Sequence, residues 1–291
     1  MAMRRGVAIP PQVGLTCVVG ARYLAGAMVP ASNSALSPAE TLDGLRSTPS
    51  QQENAVLPLY YKTLSRAIGP MNWWPAQTPF EVIVGAILTQ NTAWSNVERA
   101  IAALRDARLL TPAAIAQVPQ ARLARLIRAS GYFRQKAKKL KTFVRFLNDE
   151  YDGSLARMFR TPTQLLREQL LSVWGIGRET ADSILLYAGE HPVFVVDAYT
   201  HRILGRHGLV SNGRPDYEGV RALFERQLPR SVVLYNEFHA LLVHVGKHWC
   251  RNREPRCEIC PLAIHLPTAL DRTAALTLGH GTADVAEERR A

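Results

Sequence analysis

Residues 171–181 and the acidic residue Asp197 form the stretch whose residue types and spacing could do chemistry. Gly175 and Gly177 stand two apart between two helical patterns, and Glu179 follows near the start of the second pattern. Glycine permits the backbone angles of a tight turn, and the amides that open a helix attract phosphate. The pattern therefore predicts a turn that grips a nucleic-acid backbone, with a lone carboxylate close behind it. A plain bend between two helices is the alternative.

Two loops carry side chains that suit contacts with bases. Trp73 and Trp74 are adjacent in one loop, and Gln90 and Asn91 interrupt an apolar helical pattern. Aromatic rings stack on bases with roughly 1–3 kcal/mol per base, and side-chain amides pair with base edges. For the tryptophans, a stacking wall and burial in the core are both open. For the two amides, an ordinary polar turn is the alternative.

The four cysteines are unevenly placed along the chain. Cys250, Cys257 and Cys260 lie together near one end, whereas Cys17 stands alone. An odd cluster of this kind does not fit a disulfide framework. In a reducing compartment it predicts a metal or iron–sulfur site.

The elements that must position these residues are predicted to be helices. Apolar residues recur at helical spacing between residues 57 and 245, and no segment shows the alternation of a strand. The sequence therefore predicts an all-α fold. Within residues 80–104, the polar residues 89–92 are expected to separate two helices. The helix over residues 134–147 has an apolar stripe and a basic face that we expect to meet DNA, with Lys136, Lys138, Lys139, Lys141 and Arg145.

The charge of the chain favours a polyanionic partner. The 291 residues carry a formal net charge of +11, and the positive excess lies in the middle of the chain. Nucleic acids are the commonest polyanions that a basic domain meets, although a merely soluble basic protein is an alternative. No apolar run reaches the length of a membrane span. Residues 1–52 are predicted to be a disordered extension and residues 268–291 a disordered tail.

Residues 57–262 resemble the endonuclease III superfamily of DNA glycosylases, which combines a helix–hairpin–helix motif with a glycine- and proline-rich loop and an aspartate. The resemblance implies two helical lobes with double-stranded DNA in the cleft between them. One lobe is a six-helix barrel over residues 75–189. The other combines residues 53–74 and 190–249 with a cluster loop over residues 250–266.

The resemblance also assigns roles to the residues of the hairpin. Gly175, Ile176, Gly177 and Arg178 would grip phosphate, often with a bound monovalent cation. Asp197 corresponds to the family aspartate, which would stabilise the cationic sugar or activate water. From these roles we expect a monomer that acts on DNA in the cytoplasm, at the nucleoid.

Glu179 departs from the pattern of the family members that also cut the strand. Those enzymes have a lysine at this position, whose amine attacks the sugar C1′ and forms a Schiff base. A carboxylate cannot form a Schiff base, so we predict a monofunctional enzyme that leaves an uncut abasic site. Glu179 would then be a second carboxylate near the site, or only an acidic residue favoured at a helix start.

The motifs around the tryptophans resemble the 3-methyladenine DNA glycosylase branch of this family. In that branch, aromatic and proline side chains clamp a flipped alkylated base. The resemblance implies a base pocket that contains Trp73, Trp74, Pro75, Trp94 and Lys247. Gln90 would fill the gap left by the flipped base, beside Asn91. Tyr132 would wedge the opposite strand.

The cysteine spacing resembles the start of the family's [4Fe-4S] loop. Six residues separate Cys250 from Cys257, and two separate Cys257 from Cys260. The family's fourth cysteine would stand at the position of Leu266, and the neighbouring His265 is out of register by one residue. A cluster with a substitute ligand and a loop that packs without metal are both open.

Together these features lead us to expect a base-excision DNA glycosylase for alkylated purines that does not cleave the strand. One alternative is an endonuclease III-like glycosylase and lyase for oxidised pyrimidines, or an enzyme for mismatched adenine. An alternative of another class is a non-catalytic protein that binds damaged DNA.

Overall fold

The computed structural model describes residues 55–71, 73–74, 76–210 and 216–266 of the chain. Three predictions fall outside the described residues: the extension over residues 1–52, the tail over residues 268–291 and the pocket residue Pro75.

The described ranges contain helices and connecting loops without a strand, so the predicted all-α class is confirmed. In chain order the α-helices of these ranges are α1 (Val56–Ile68), α2 (Pro79–Leu88), α3 (Trp94–Asp106), α4 (Pro112–Gln117), α5 (Gln120–Leu126), α6 (Phe133–Tyr151), α7 (Leu155–Met158), α8 (Thr163–Ser172), α9 (Arg178–Ser183), α10 (Ala198–Arg206), α11 (Tyr217–Gln227) and α12 (Val232–His248). A π-helical segment, Ile184–Ala188, continues α9. Short 3-10 turns lie at Arg128–Ser130, Cys257–Ile259 and Pro261–His265.

Local sequence explains the start and the end of α2. The Thr78 hydroxyl accepts a hydrogen bond from the N–H of Glu81 at 3.2 Å, and Pro79 occupies the first helical position. Such a cap satisfies an amide that the first turn of a helix leaves without a partner. The predicted polar break is also present, because α2 ends at Leu88 and α3 begins at Trp94.

The first hydrophobic core is built around α2. All ten residues of this helix except Pro79 are buried, which explains why its sequence is apolar on every side. Helices α3 and α6 and the π-helical segment pack against it. Further along the chain, α8 and α9 complete this core, whose last member is Val193.

The second hydrophobic core contains α1, α10, α11, α12 and the segment that carries the cysteines. The ring of Phe194 stacks on Phe224 with the centroids 3.8 Å apart, and the edge of Phe238 meets both rings. No helix within the residues that the structure describes is long and apolar enough to cross a membrane.

The chain crosses between the two cores at a short stretch before Asp197. Val193 belongs to the first core and its neighbour Phe194 to the second. Tyr187, on the π-helical segment, packs against both cores. Groups on this stretch are therefore held by close-packed surroundings on two sides, which limits their freedom to move.

Candidate active site

Asp197 lies at this junction and caps α10. Its Oδ1 atom accepts hydrogen bonds from the backbone N–H of Thr200 at 2.7 Å and from the Thr200 hydroxyl at 2.9 Å. Its Oδ2 atom faces His239, whose Nε2 lies 3.6 Å away. Only 11% of the Asp197 side chain is exposed. The cap therefore fixes one carboxylate oxygen and leaves the other available.

The surroundings of Asp197 favour its charged form. Burial by itself would raise the pKa of Asp197, but His239 and the two donors of Thr200 outweigh burial and lower that pKa below its ordinary value. Asp197 is therefore ionised at neutral pH.

Glu179, at the start of α9, is a second carboxylate in this region. Enclosure by protein atoms and the charge of Asp197 raise the pKa of Glu179 to about 7, although His239 acts in the opposite direction. The residue still keeps an exposed surface. The two carboxylates thus differ near neutral pH, where Asp197 is charged and Glu179 can gain or lose a proton. A raised pKa of this kind is frequent in groups that transfer protons.

His239 and Tyr187 complete the site, and the sequence did not indicate either of them. The Tyr187 hydroxyl lies 2.5 Å from Nδ1 of His239, and the two residues are 52 positions apart in the chain. His239 stands within the apolar pattern of α12 with 6% of its side chain exposed. A histidine in such a stripe gives no signal of its partner, because the contact exists only in the folded chain.

Aromatic side chains pack together next to Tyr187. The Trp74 ring lies 5.0 Å from Tyr187 at a tilt of 32° and 5.0 Å from Trp94 nearly edge-on. Gly85 makes room for Trp74, because a Cβ atom at that position would lie 3.1 Å from the indole. Trp74 and Trp94 pack partly on the first core and are half-buried. Partial burial is thus present for Trp74, and its role as a stacking wall stays a prediction.

Two further predicted pocket residues lie on the other side of Trp74. The rings of Trp73 and Trp74 meet edge to face with their centroids 6.2 Å apart. The Nζ atom of Lys247, from the end of α12, lies 5.7 Å from the centre of the Trp73 ring. The structure thus brings four of the predicted pocket residues together: Trp73, Trp74, Trp94 and Lys247.

The hairpin between α8 and α9 has the predicted glycine geometry. Gly175 has a φ of 89°, and a Cβ atom there would lie 2.5 Å from Cγ of Lys139. The amides of Gly175 and Gly177 form no hydrogen bond to any residue in the described ranges, whereas the amide of Ile176 donates to the Val173 carbonyl at 3.0 Å. The two glycine amides are therefore available to a ligand, and the Ile176 amide is not.

Gln90 is attached to the hairpin. Its side-chain amide donates to the Gly175 carbonyl at 3.2 Å and to the Thr180 hydroxyl at 2.9 Å, and it accepts a hydrogen bond from Nζ of Lys139. The contacts place Gln90 beside the glycine turn of the hairpin. Whether it fills a gap in DNA stays a prediction.

The surface next to the hairpin exposes two aromatic side chains. Tyr132 is 67% exposed at the start of α6, and Trp174 is 50% exposed in the hairpin itself. The Nζ atom of Lys138 lies 4.3 Å from the centre of the Trp174 ring. Asn91 and Arg178 are exposed as well. Trp174 was missed as a candidate, although its place directly before Gly175 could have indicated it.

The prediction that Lys136 faces DNA is wrong. Lys136 is 2% exposed, and its Nζ donates to the carbonyls of Leu88 at 3.0 Å and Ser130 at 2.6 Å. Burial, and to a lesser extent Lys139, lower the pKa of Lys136 to about 8. The ammonium satisfies one carbonyl at the end of α2 and one at the end of the 3-10 turn Arg128–Ser130. Lys136 therefore supports the barrel and does not reach a ligand.

A buried ion pair supports the hairpin from behind. Asp182 on α9 accepts from Nε of Arg167 on α8 at 2.7 Å and from the Tyr217 hydroxyl of α11 at 2.8 Å. Glu218 joins the group through Arg167 at 2.8 Å and lies 3.4 Å from Arg178. The network ties both helices of the hairpin to the second core and orients Arg178.

The cysteine loop gathers its sulfur atoms around a cavity of about 20 Å³. Cys250, Cys257 and Cys260 line this cavity together with Leu266, the position of the family's fourth cysteine. The hydrocarbon side chain of Leu266 cannot bind iron. In the described part of the chain, no group of three or more histidine, cysteine, aspartate or glutamate side chains could hold a metal ion. These residues therefore do not fit a cluster held by four protein ligands.

The protein itself holds the loop through side-chain contacts. Arg206 donates to Sγ of Cys250 at 3.3 Å and to the carbonyls of Arg251 and Asn252 at 2.6 and 3.0 Å. Nε2 of His265 lies 2.8 Å from the Thr63 hydroxyl. The sequence left His265 open as a substitute ligand, and His265 is not among the residues that line the cavity shared by the three cysteines.

The chain is similar to known proteins over most of the described ranges. Residues 84–230 match the model of the HhH-GPD superfamily base excision DNA repair proteins. A candidate DNA repair glycosylase of Methanocaldococcus jannaschii is 46% identical over 204 residues, which cover 69% of this chain and 91% of that protein. The endonuclease III of Thermotoga maritima is 33% identical over 187 residues, which cover 64% of this chain and 82% of that protein.

Two solved structures share the fold. The H. pylori 3-methyladenine DNA glycosylase bound to 1,N6-ethenoadenine is 30% identical, with a TM-score of 0.56 and coverage of 65% of this chain and 96% of that chain. A non-covalent complex of an endonuclease III with DNA has a TM-score of 0.63 at 22% identity, covering 78% of this chain and all of that chain. The chain therefore belongs to the HhH-GPD superfamily of base excision DNA repair proteins.

Proposed function

We propose that the protein is a DNA glycosylase that hydrolyses the N-glycosidic bond of a flipped alkylated purine and leaves the strand intact. One observation carries the proposal. A charged carboxylate, Asp197, and a carboxyl group that titrates near neutral pH, Glu179, stand next to a group of aromatic rings. This combination suits the hydrolysis of a bond between a sugar and a cationic base.

The reaction follows from the different charges of the two carboxyl groups. Asp197 stabilises the positive charge that develops on the sugar as the bond from C1′ to the base breaks. The electron pair of that bond leaves with the base. The oxygen of water forms the new bond to C1′, and the deprotonated form of Glu179 accepts the proton of the water. No side chain forms a covalent bond with the sugar.

The aromatic rings favour a positively charged base. Trp74, Trp94 and Tyr187 pack against one another, and the charges of Asp197 and Glu179 act on Tyr187. An aromatic face attracts a cation as well as a stacked base. An alkylated purine that carries a positive charge departs as a neutral base and needs no protonation. The H. pylori relative, a 3-methyladenine DNA glycosylase, supports this choice of substrate.

The DNA would be held by the hairpin and the aromatic surface next to it. The amides of Gly175 and Gly177 suit a phosphate, while Tyr132 and Trp174 suit contacts with unstacked bases. We propose double-stranded DNA as the partner and a monomer as the active form. A monovalent cation at the hairpin remains a prediction, and neither it nor the cysteine loop takes part in the reaction.

A panel of end-labelled duplexes, each with one type of lesion, tests the proposal. The expected result is a cleaved product that forms only after alkali and only on duplexes with an alkylated purine, because alkali cuts the strand at an abasic site. Cleavage before alkali on an oxidised pyrimidine would favour the lyase alternative. Tight binding without base release from any duplex would favour the non-catalytic alternative.

A further inference from the structure

His239 holds a position that the proposed reaction has not yet used. Its ring is buried between Tyr187 and Asp197, with Nδ1 2.5 Å from the Tyr187 hydroxyl and Nε2 3.6 Å from Oδ2 of Asp197. The distance to Asp197 exceeds that of a hydrogen bond, and Nε2 has no hydrogen-bond partner among the described residues. A buried ring nitrogen without a partner is costly, which indicates a task for this atom.

The contact with Tyr187 bears on which nitrogen of the His239 ring carries a proton. Burial, together with the charges of Asp197 and Glu179, raises the pKa of Tyr187 well above its ordinary value, so the phenol keeps its proton. When the phenol donates to Nδ1 of His239, a proton of the ring stands on Nε2. Nε2 is the ring atom nearest to Oδ2 of Asp197, the oxygen that the helix cap leaves available.

We propose that His239, oriented by Tyr187, is a positioning residue that holds Oδ2 of Asp197 in place for the reaction. Groups around a metal site act in a similar way: they orient a ligand side chain by contacting an atom of it that does not bind the metal. The kinetic part of this inference rests on the proposed function, whereas the contact between His239 and Asp197 does not.

The charged groups around His239 define what its removal should do. Asp197 faces it from the start of α10, Tyr187 from the π-helical segment, and Glu179 interacts with it from α9. The ring of Phe194 covers another side. Because His239 lowers the pKa of both Asp197 and Glu179, its replacement by an apolar ring should raise both values.

The first experiment measures the titration of Asp197 without any substrate. The full chain is labelled with ¹³C at the aspartate carboxyl carbons, and the Asp197→Asn variant identifies the resonance. The pKa of Asp197 is expected to rise in His239→Phe and to stay close to the original value in His239→Gln, whose amide can still donate from the same place. His248→Gln, on the exposed face of α12, is the matched control and should change nothing. An unchanged pKa in His239→Phe would overturn the proposal.

The second experiment measures single-turnover base release and duplex binding. His239→Phe is expected to lower the rate of release roughly hundredfold with unchanged binding of DNA, because a small displacement of a catalytic group has an effect of this size. His239→Gln should recover most of the rate. An equal loss in both variants, or a loss of binding in place of rate, would overturn the positioning role.

The two experiments separate the possible failures. If the unmodified protein releases no base while His239→Phe still shifts the titration of Asp197, the proposed function fails and the contact between the two side chains stands. If His239→Phe does not fold, Tyr187→Phe serves in its place. The pKa of Asp197 is then expected to rise by a smaller amount, because this variant keeps the His239 ring and removes only the hydroxyl that orients it.

Discussion

The site around Asp197 and the cysteine loop both carry sequence patterns of the same family. In the structure, the first has a complete set of side chains and the second lacks one. At the first, the predicted pocket residues of the described ranges lie together, and Trp74 packs on Tyr187, which His239 connects to Asp197. At the second, three sulfur atoms surround a small cavity whose fourth position is the hydrocarbon of Leu266. A pattern therefore indicates common descent in both places, but only a complete set of groups supports a chemical role.

The cysteine loop also shows what can replace a missing group. Arg206 and the contact of His265 with Thr63 fix the loop to α10 and α1 through protein groups alone. At Asp197 the family residue is itself present: Oδ1 caps α10 and Oδ2 faces His239, which leaves Oδ2 for the proposed reaction.

The largest expected effect is that of Asp197→Asn. Asparagine can still cap α10 through its oxygen, so the free energy of unfolding should change little. The loss of negative charge should lower the rate of base release by roughly 100- to 10,000-fold. Single-turnover kinetics and thermal unfolding measure the two quantities. Base release at an unchanged rate would contradict the account of the site.

Gly175→Ala should have the next largest effect. The positive φ of Gly175 and the close approach of Lys139 oppose a side chain, so we expect a loss of roughly 1–3 kcal/mol in the free energy of unfolding, along with weaker duplex binding. The matched variant is Gly177→Ala, whose φ of −97° and open surroundings predict less than about 0.5 kcal/mol. Equal losses in the two variants would show that the hairpin does not have this geometry.

Glu179→Gln should change how stability depends on pH. The folded pKa of about 7 lies above the ordinary value of 4.5, so the folded state binds more protons than the unfolded state between these two values. The free energy of unfolding should therefore fall as the pH rises through this window, and the fall should be absent in the variant. Thermal unfolding between pH 4 and pH 8 measures the difference. Parallel curves for the two proteins would contradict the assigned pKa.

Changes in the cysteine loop are expected to have the smallest effect on activity. They test the second of the two regions compared above. Because Leu266 cannot bind iron, protein purified without oxygen should contain less iron and sulfide than a complete [4Fe-4S] cluster requires. Leu266→Cys restores the fourth position and should raise the content of both. Metal and sulfide analysis measures this. A complete cluster in the unmodified chain would contradict the fit argued for the loop.

Sequence patterns predicted the features of this molecule that depend on residues close together in the sequence. The polar break between α2 and α3 was visible because residues 89–92 interrupt an apolar pattern. The burial of Lys136 was not visible, since the periodicity of α6 does not reveal which lysine turns inward to the carbonyls of Leu88 and Ser130.

The candidate site shows the same limit. Asp197 and the tryptophans could be selected from the resemblance to a family, but the partners of Asp197 could not. The contact of Tyr187 with His239 joins residues 52 positions apart, and the pair of Arg167 and Asp182 joins helices on either side of the hairpin. The first contact depends on how the two cores pack together and the second on how the hairpin folds, and no local pattern contains either.

Reduction with borohydride in the presence of DNA that contains an abasic site tests the central claim most directly. An enzyme that attacks the sugar through an amine forms a Schiff base, and borohydride converts it into a permanent bond between protein and DNA. Because Glu179 occupies the position of the family lysine, this chain is predicted to give no such adduct, while an endonuclease III tested alongside gives one. An adduct with this protein at a comparable yield would contradict the claim that its two carboxylates act by hydrolysis alone.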